Sequence, residues 1–189
     1  MCVFCVVPPN VTPTKTMLED SALNNPDGFG FAFLIKEENR IHVEKTMNAD
    51  ASISRFLAMR QQYPNTYAMW HARIATHGSV SVDNCHPFQV ENEMTYLGHN
   101  GIISVLEDKT DRSDTRIFAE DVLTKMGGVT ALDNAQLYNM IEEFTSGSKL
   151  CVLTVDPRAQ YQCYLVHQDK GKYDESGVWW SNDSCSWDY

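Results

Sequence analysis

Cys2 directly follows the initiating methionine. Removal of Met1, which cellular aminopeptidases perform when the second residue is small, would place a thiol and a free α-amine on one residue. An α-amine titrates at about 8, close enough to neutrality to take the thiol proton, so Cys2 would supply both nucleophile and base. Arg73, within Trp70-His71-Ala72-Arg73-Ile74-Ala75-Thr76-His77-Gly78, carries a planar guanidinium fork that fits a carboxylate bidentately. His99-Asn100-Gly101 brings a side-chain amide next to a glycine N–H, and both can donate to a developing oxyanion. Ser113-Asp114-Thr115 places a carboxylate at a predicted helix start.

Each of these has a simpler reading when taken alone. A cysteine is commonly a small buried hydrophobe. An isolated arginine is commonly a surface ion-pair partner. Asn-Gly is the strongest short-range hairpin signal, and Ser-Asp at a helix start is commonly a cap. The same residue types also allow a metal site, because His71, His77, Cys85, His86 and His99 are all possible ligands and Cys2-Val3-Phe4-Cys5 has CxxC spacing. No second CxxC and no HExxH follows, so neither a metal nor any other cofactor is expected. A thioredoxin-like role for that pair would need a preceding strand and a βαβ setting. Gly28-Phe29-Gly30 lacks the third glycine of a phosphate loop and opens a strand.

The elements that would carry these groups can be read along the chain. Val3 to Val7 is a Val-rich apolar run ended by Pro8-Pro9, a buried strand that starts at Cys2. Asn24-Asn25-Pro26-Asp27-Gly28 is a turn, and Phe29–Lys36 with Ile41–Lys45 reads as a hairpin. Asp50 is the expected cap of a helix bearing Ile53, Phe56 and Leu57, which ends before Pro64. Tyr67–Ala75 is a strand, and Thr76–Pro87 a long polar loop. Met94–Leu97 and Ile102–Leu106 are expected as strands flanking a turn at Gly98-His99-Asn100-Gly101. A helix begins at Ser113 or Asp114, turns Ile117, Phe118, Val122 and Met126 inward and ends at Gly127-Gly128. A second helix carries Leu137, Met140, Ile141 and Phe144. Leu150–Val155 and Gln162–Val166 close the fold. Strands joined by hairpins, then helices, then strands argue for an α+β layered architecture.

Composition narrows the function classes. The 189 residues suit one domain with a real core. With 43% hydrophobic and 21% charged residues the chain is ordinary for a globular protein. A net charge of -10 with no basic patch argues against nucleic acid. No apolar run approaches the roughly 20 residues needed to span a bilayer, and the start lacks a basic n-region, so neither a membrane nor a secretory role is expected. The six cysteines are therefore expected to be reduced, in the cytoplasm.

Taken together, Met1-Cys2, Asn25-Pro26-Asp27-Gly28-Phe29-Gly30, His71-Ala72-Arg73-Ile74-Ala75-Thr76-His77-Gly78, Asn84-Cys85-His86-Pro87-Phe88, Gly98-His99-Asn100-Gly101 and Ser113-Asp114-Thr115 resemble the class II glutamine amidotransferases, which are N-terminal-nucleophile (Ntn) hydrolases. The segments occur in that family's order over the first two-thirds of the chain, and the small stand-alone branch is resembled most. The resemblance implies an α+β, four-layer αββα sandwich of two mostly antiparallel sheets, with residues 1–189 as a single amidotransferase domain. It implies that Cys2 attacks the glutamine amide carbon to form a thioester, that its α-amine shuttles protons, and that Asn100 and the Gly101 N–H form the oxyanion hole. Arg73 would clamp the substrate α-carboxylate, Thr76, His77 and Gly78 would line the pocket, and Asp114 would hold the α-ammonium. His86, His99, Asn25 and Asp27 would stand just behind them. Two departures from the family pattern are visible: Arg116 follows Ser-Asp-Thr where Glu is usual, and Cys85 occupies a position where a polar residue such as Thr is expected.

The expected reaction is release of ammonia from glutamine for a separate acceptor, a synthase subunit. The alternatives are hydrolysis of another γ-glutamyl amide, or a ligand-binding module that has lost catalysis.

Overall fold

The computed structural model describes residues 1–104, 106 and 110–183. Its centre is two antiparallel sheets. The first has six strands in the order β3-β2-β4-β1-β10-β9, and the second four in the order β5-β6-β7-β8. In chain order they are β1 (Val3–Val7), β2 (Phe29–Ile35), β3 (Arg40–Thr46), β4 (Ala68–Ala72), β5 (Phe88–Val90), β6 (Asn92–Asn100), β7 (Lys149–Thr154), β8 (Cys163–Val166), β9 (Lys172–Tyr173) and β10 (Trp179–Trp180). Helices α1 (Lys15–Asn24) and α2 (Ala49–Gln62) pack with the first sheet. Helix α3 (Asp114–Ile117), continued by a π-helical stretch Phe118–Leu123, and α4 (Ala135–Phe144) pack with the second.

The period-two geometry of a strand explains the layering. On β1, Val3, Cys5 and Val7 join Leu18, Ala22, Ile53, Phe56 and Met59 of the helices. Phe4 and Val6 point the other way and join Cys151 and Leu153 of β7 between the sheets. On β4, Trp70 and Ala72 face the helices and Met69 faces the second sheet. Leu97, Leu150 and Val152 meet Phe118, Leu123 and Ile141 on the far side of the second sheet. The result is the four-layer αββα sandwich. Among the described residues no helix is long and apolar enough to cross a membrane.

Most elements stand where their patterns place them, with instructive exceptions. Helix α1 shows no amphipathic stripe: only Leu18, Ser21 and Ala22 of its ten residues are buried, so hydrophobic spacing does not mark it. Asn48, not Asp50, caps α2, its side chain accepting from the Ala51 N–H at 2.8 Å. On α4 only Ile141 is buried, while Met140 and Phe144 are 57% and 40% exposed. Strands β5, β9 and β10 were not expected.

The expected turn at 98–101 is the largest correction. Gly98, His99 and Asn100 lie inside one continuous strand and pair with Cys151, Leu150 and Lys149 of β7. Cross-strand partners outcompete the local hairpin signal of Asn-Gly. Gly98 serves close approach here: a Cβ on it would stand 2.6 Å from Met69 Sδ of the facing sheet. The chain turns only at Gly101, whose φ of +151° no side-chain-bearing residue adopts easily and whose Cα faces Ser148. Ile102, Ile103, Ser104 and Leu106 form no strand, and Val105 lies outside the described residues, as does Cys185.

Candidate active site

Cys2 precedes β1, and the β1–β4 ladder pairs Val3 with Ala72. In an antiparallel ladder the next residue outward on each side is then Cys2 and Arg73, which brings the thiol and the guanidinium to the same end of the sheet. Alternation puts Phe4 and Met69 on the face toward the second sheet. Cys2 and Arg73 share that parity, so both belong to the inter-sheet side.

The half-buried Cys2 thiol donates to the Ile74 carbonyl at 3.4 Å. Its own carbonyl accepts from Asn182 Nδ2 at 2.7 Å. Burial pushes the thiol up in pKa. The Arg73 charge opposes that shift and Asp114 adds to it, so both charged groups act on the sulfur. Cys2 and Cys5 do not form a chelating pair, since Cys5 packs on the helix-facing side of β1.

Arg73 is buried, 2% exposed. Its Nη1 and Nη2 donate to the carbonyls of Ser79 and His77, each at 2.8 Å. Its main chain is fixed by two bonds to the turn before β2, Arg73 N–H to the Gly28 carbonyl and Asp27 N–H to the Arg73 carbonyl. Asp27 also accepts from the Ala75 N–H at 2.8 Å. The Asn25-Pro26-Asp27-Gly28 segment therefore braces the strand end on which Arg73 sits. Asn25 itself reaches back into α1, donating to the Ser21 carbonyl, and is thus a helix-end residue. The loop that follows carries Thr76, His77 and Gly78, of which Thr76 and Gly78 are exposed.

That loop is tied to the start of α3 by a residue that spacing did not single out. Asn84 donates to the Asp111 carbonyl at 2.7 Å and accepts from the Ser113 N–H at 3.0 Å. Ser79 N–H adds a bond to the Asp111 carboxylate. Ser113 is the N-cap of α3, and Asp114 is the first helical residue. The Asp114 carboxylate accepts from the Ile103 N–H at 2.7 Å and the Thr115 N–H at 2.7 Å, so it pins the chain just beyond Gly101. Arg116 ion-pairs with Glu120 one turn on, at 2.8 Å, which offsets its unfavourable place in the first helical turn.

Asn100 ends β6, fully buried, with its amide nitrogen 2.9 Å from Ser181 Oγ. Ser181 in turn brackets Phe4: Phe4 N–H donates to Ser181 Oγ and Ser181 N–H donates to the Phe4 carbonyl, both at 2.9 Å. A Trp180-Ser181-Asn182 tail therefore joins β1, at whose start Cys2 lies, to the end of β6 at Asn100. In the sequence the tail shows only as Trp180-Ser181-Asn182-Asp183-Ser184, a loose C-terminal likeness to the amidotransferase pattern.

Behind these residues lies a stack of imidazoles. His71 and His86 stack with ring centroids 3.9 Å apart. His71 Nε2 bonds the His99 carbonyl at 2.9 Å, and His99 Nδ1 meets Thr115 Oγ1 at 2.6 Å. Neither ring nitrogen of His86 has a hydrogen-bond partner among the described residues. Burial pushes all three down, His71 to about 3 and His86 well below its ordinary value, so the stack is neutral at physiological pH. His86 is accordingly a packed, neutral ring, whereas His99 is held by its bond to Thr115. Cys85 lies under Gly28 and against Met47 Sδ at 3.8 Å. Among the described residues no group of three or more His, Cys, Asp or Glu side chains is placed to hold a metal ion.

Comparison with known proteins gives the family and the fold. A family model described as "Glutamine amidotransferases class-II" matches residues 14–120. A glutamine–fructose-6-phosphate aminotransferase (isomerizing) of Chlamydia caviae is 38% identical over 77 residues, covering 41% of this chain and 12% of the relative. The enzyme of the same name from Oceanobacillus iheyensis is 33% identical over 93 residues, 49% of this chain and 15% of the relative. The matched part is thus a small fraction of these relatives' length. Among solved structures, the glutamine phosphoribosylpyrophosphate amidotransferase of B. subtilis, complexed with ADP and GMP, superposes with a TM-score of 0.52 at 14% identity, over 98% of this chain and 42% of that one. An allosteric regulatory enzyme of purine biosynthesis gives 0.53 at 16% identity, with the same coverage. These two likenesses establish the fold.

Proposed function

The chain belongs to the class II glutamine amidotransferases, and from that premise we propose that it hydrolyses the side-chain amide of glutamine through a thioester on Cys2, releasing ammonia to a separate acceptor enzyme. The observation that carries the reading is the ladder register Val3 opposite Ala72. It sets Cys2 beside Arg73, while Ser181 links Phe4 of the same strand to Asn100. Nucleophile, carboxylate clamp and oxyanion donor come from three separate stretches of sequence and meet at one end of the two sheets.

The chemistry follows from those positions. Once Met1 is removed, the Cys2 α-amine takes the thiol proton, and the sulfur adds to the amide carbon. The negative charge that develops on the carbonyl oxygen is met by the Asn100 amide and the Gly101 N–H. The amine returns its proton to the departing nitrogen, ammonia leaves, and the C–S bond of the thioester remains. Water activated by the same amine then hydrolyses the thioester to glutamate. Arg73 and Asp114 recognise the α-carboxylate and α-ammonium of the substrate, and holding both ends fixes the amide against the sulfur. The Thr76–Gly78 loop, held over Arg73 by two guanidinium bonds, lines the pocket. Neither a metal nor a cofactor takes part in these steps. We take residues 1–189 as one amidotransferase domain. The curated relatives extend far beyond the matched part, which supports a synthase domain or subunit as the acceptor.

Ammonia release from glutamine and from a few other γ-glutamyl amides, measured on protein whose N-terminus is verified as Cys2, tests the reading. Turnover of glutamine that is abolished in Cys2→Ala is expected. Full turnover in Cys2→Ala would overturn the mechanism.

A further inference from the structure

Ser181 has no place in the chemistry above, yet it is fully buried and sits between the nucleophile strand and Asn100. Its hydrogen-bond count is unbalanced if Asn100 Nδ2 is the donor. Ser181 Oγ would then accept from both the Phe4 N–H and Asn100 Nδ2, and its own proton would find no acceptor among the described residues. At the same time Asn100 Oδ1 is buried without a partner. Two buried polar groups left unmade are costly. The two ends of a carboxamide have the same shape, and which is which follows from the hydrogen-bond network. A half-turn of the amide pairs the Ser181 O–H with Asn100 Oδ1 and leaves only the amino group unpaired. An unpaired amino group is what an oxyanion hole offers before substrate arrives.

We propose that Ser181 is the positioning residue of the oxyanion hole: its hydroxyl accepts from the Phe4 N–H, donates to Asn100 Oδ1, and thereby fixes the Asn100 amino group as the free donor for the oxyanion. This rests on the amide-hydrolase reading. The link is mechanical as well as chemical. Phe4 lies on the strand that Cys2 opens, Asn100 ends a strand of the other sheet, and Ser181 ties the two together. Asn182, the next residue, holds the Cys2 carbonyl, so one dipeptide registers the nucleophile against the donor.

The test uses the full-length protein with glutamine, or whichever γ-glutamyl amide it hydrolyses. Loss of a single oxyanion donor typically costs about 10²-fold to 10³-fold in kcat. Ser181→Ala is expected to lower kcat by about 10²-fold with KM changed less than about threefold. Asn100→Ala should lower kcat by a similar factor, and the double variant no further, because both remove one donor. Ser181→Thr, which keeps the hydroxyl, should recover most of the loss. A kcat for Ser181→Ala within about threefold of the parent, or a double variant that loses the product of the two single losses, would overturn the proposal. Should Ser181→Ala not fold, Ser181→Cys keeps the side-chain size with a much weaker donor and should lower kcat at least about tenfold; parental turnover there would overturn it equally. An unsubstituted protein that hydrolyses no γ-glutamyl amide would sink the functional reading instead. The Ser181 assignment is then decided by crystal structures at a resolution that shows hydrogens. Oδ1 facing Ser181, with the amide turned or split in Ser181→Ala, is expected. Nδ2 facing Ser181, or an amide unmoved in the variant, overturns it.

Discussion

The Cys2 thiol donates to the carbonyl of Ile74 at 3.4 Å, one residue beyond Arg73. The thiol therefore rests against the backbone of the same segment that carries Arg73, the carboxylate clamp proposed above. Burial favours the protonated thiol, and the Ile74 backbone and the Arg73 charge oppose it. In the proposed mechanism the α-amine freed by removal of Met1 is the base that has to overcome that burial.

The proposed mechanism requires a free N-terminus on Cys2. Mass spectrometry of active protein is expected to show Cys2 as the first residue. Protein that retains Met1, made by blocking aminopeptidase processing, should lose ammonia release, because the Cys2 nitrogen then sits in a peptide bond and is no base. Equal activity with and without Met1 would count against the mechanism.

Cys2→Ala should reduce glutamine turnover at least about 10³-fold, the order of loss when a covalent nucleophile is removed. Stability should change by no more than about 1 kcal/mol, since the half-buried sulfur makes a single weak hydrogen bond. Urea unfolding of the two proteins alongside the ammonia assay separates a chemical loss from a folding loss.

Arg73→Ala should raise the KM for glutamine about tenfold to 10²-fold, the equivalent of losing one charge-assisted hydrogen bond. Arg73→Lys is expected to be nearly as damaging, because a single ammonium cannot span the Ser79 and His77 carbonyls as the fork does. Limited proteolysis should find the 76–80 loop cut faster in both variants. An unchanged KM would remove Arg73 from the clamp.

Acid should destabilise the protein through the imidazole stack. His71, His86 and His99 are held below their ordinary value of 6.5 by burial. In the unfolded chain they take up protons as the pH falls through about 6.5, whereas in the folded state they stay neutral, His71 down to about 3. Their contribution is therefore fully present above about pH 6.5 and is lost as the pH falls below it. Each proton taken up on unfolding is worth about 1.4 kcal/mol per pH unit, so three groups give a slope of about 4. Urea unfolding at pH 7, 6 and 5 reads that slope, and His86→Gln should lower it by about one proton. A stability that does not change between pH 7 and 5 would contradict the neutral stack.

Gly98→Ala should cost about 1–3 kcal/mol, the usual range for overpacking, because its Cβ would meet Met69 Sδ at 2.6 Å. Met69→Val in the same chain should recover part of that loss, as expected for residues in contact. Thermal melts of the single and double variants measure the coupling, and simple additivity would show that the two sheets do not touch at this point.

Local patterns in the sequence were enough to place β1, the β2–β3 hairpin, α2, β4, β7 and β8. β1, β2, β4 and β7 are buried on both faces and read as short, nearly continuous apolar runs, whereas α2 buries one stripe that leaves a helical period. The chemistry-bearing residue types were equally legible, since a thiol at position 2 or an arginine before a polar loop can be seen without coordinates. Helix α1 was not legible, because it buries so little that no stripe marks it. Gly98-His99-Asn100-Gly101 was misread because a turn and a buried strand end can share the same residues, and only the partner strand β7 decides between them. Above all, the tertiary structure decided which residues meet. The register Val3 opposite Ala72, and the clasp of Ser181 on Phe4 and Asn100, join segments about 70, 80 and 180 residues apart in the chain. Such long-range contacts are set by how two sheets pack face to face, and one strand's own residues carry no record of the partner opposite.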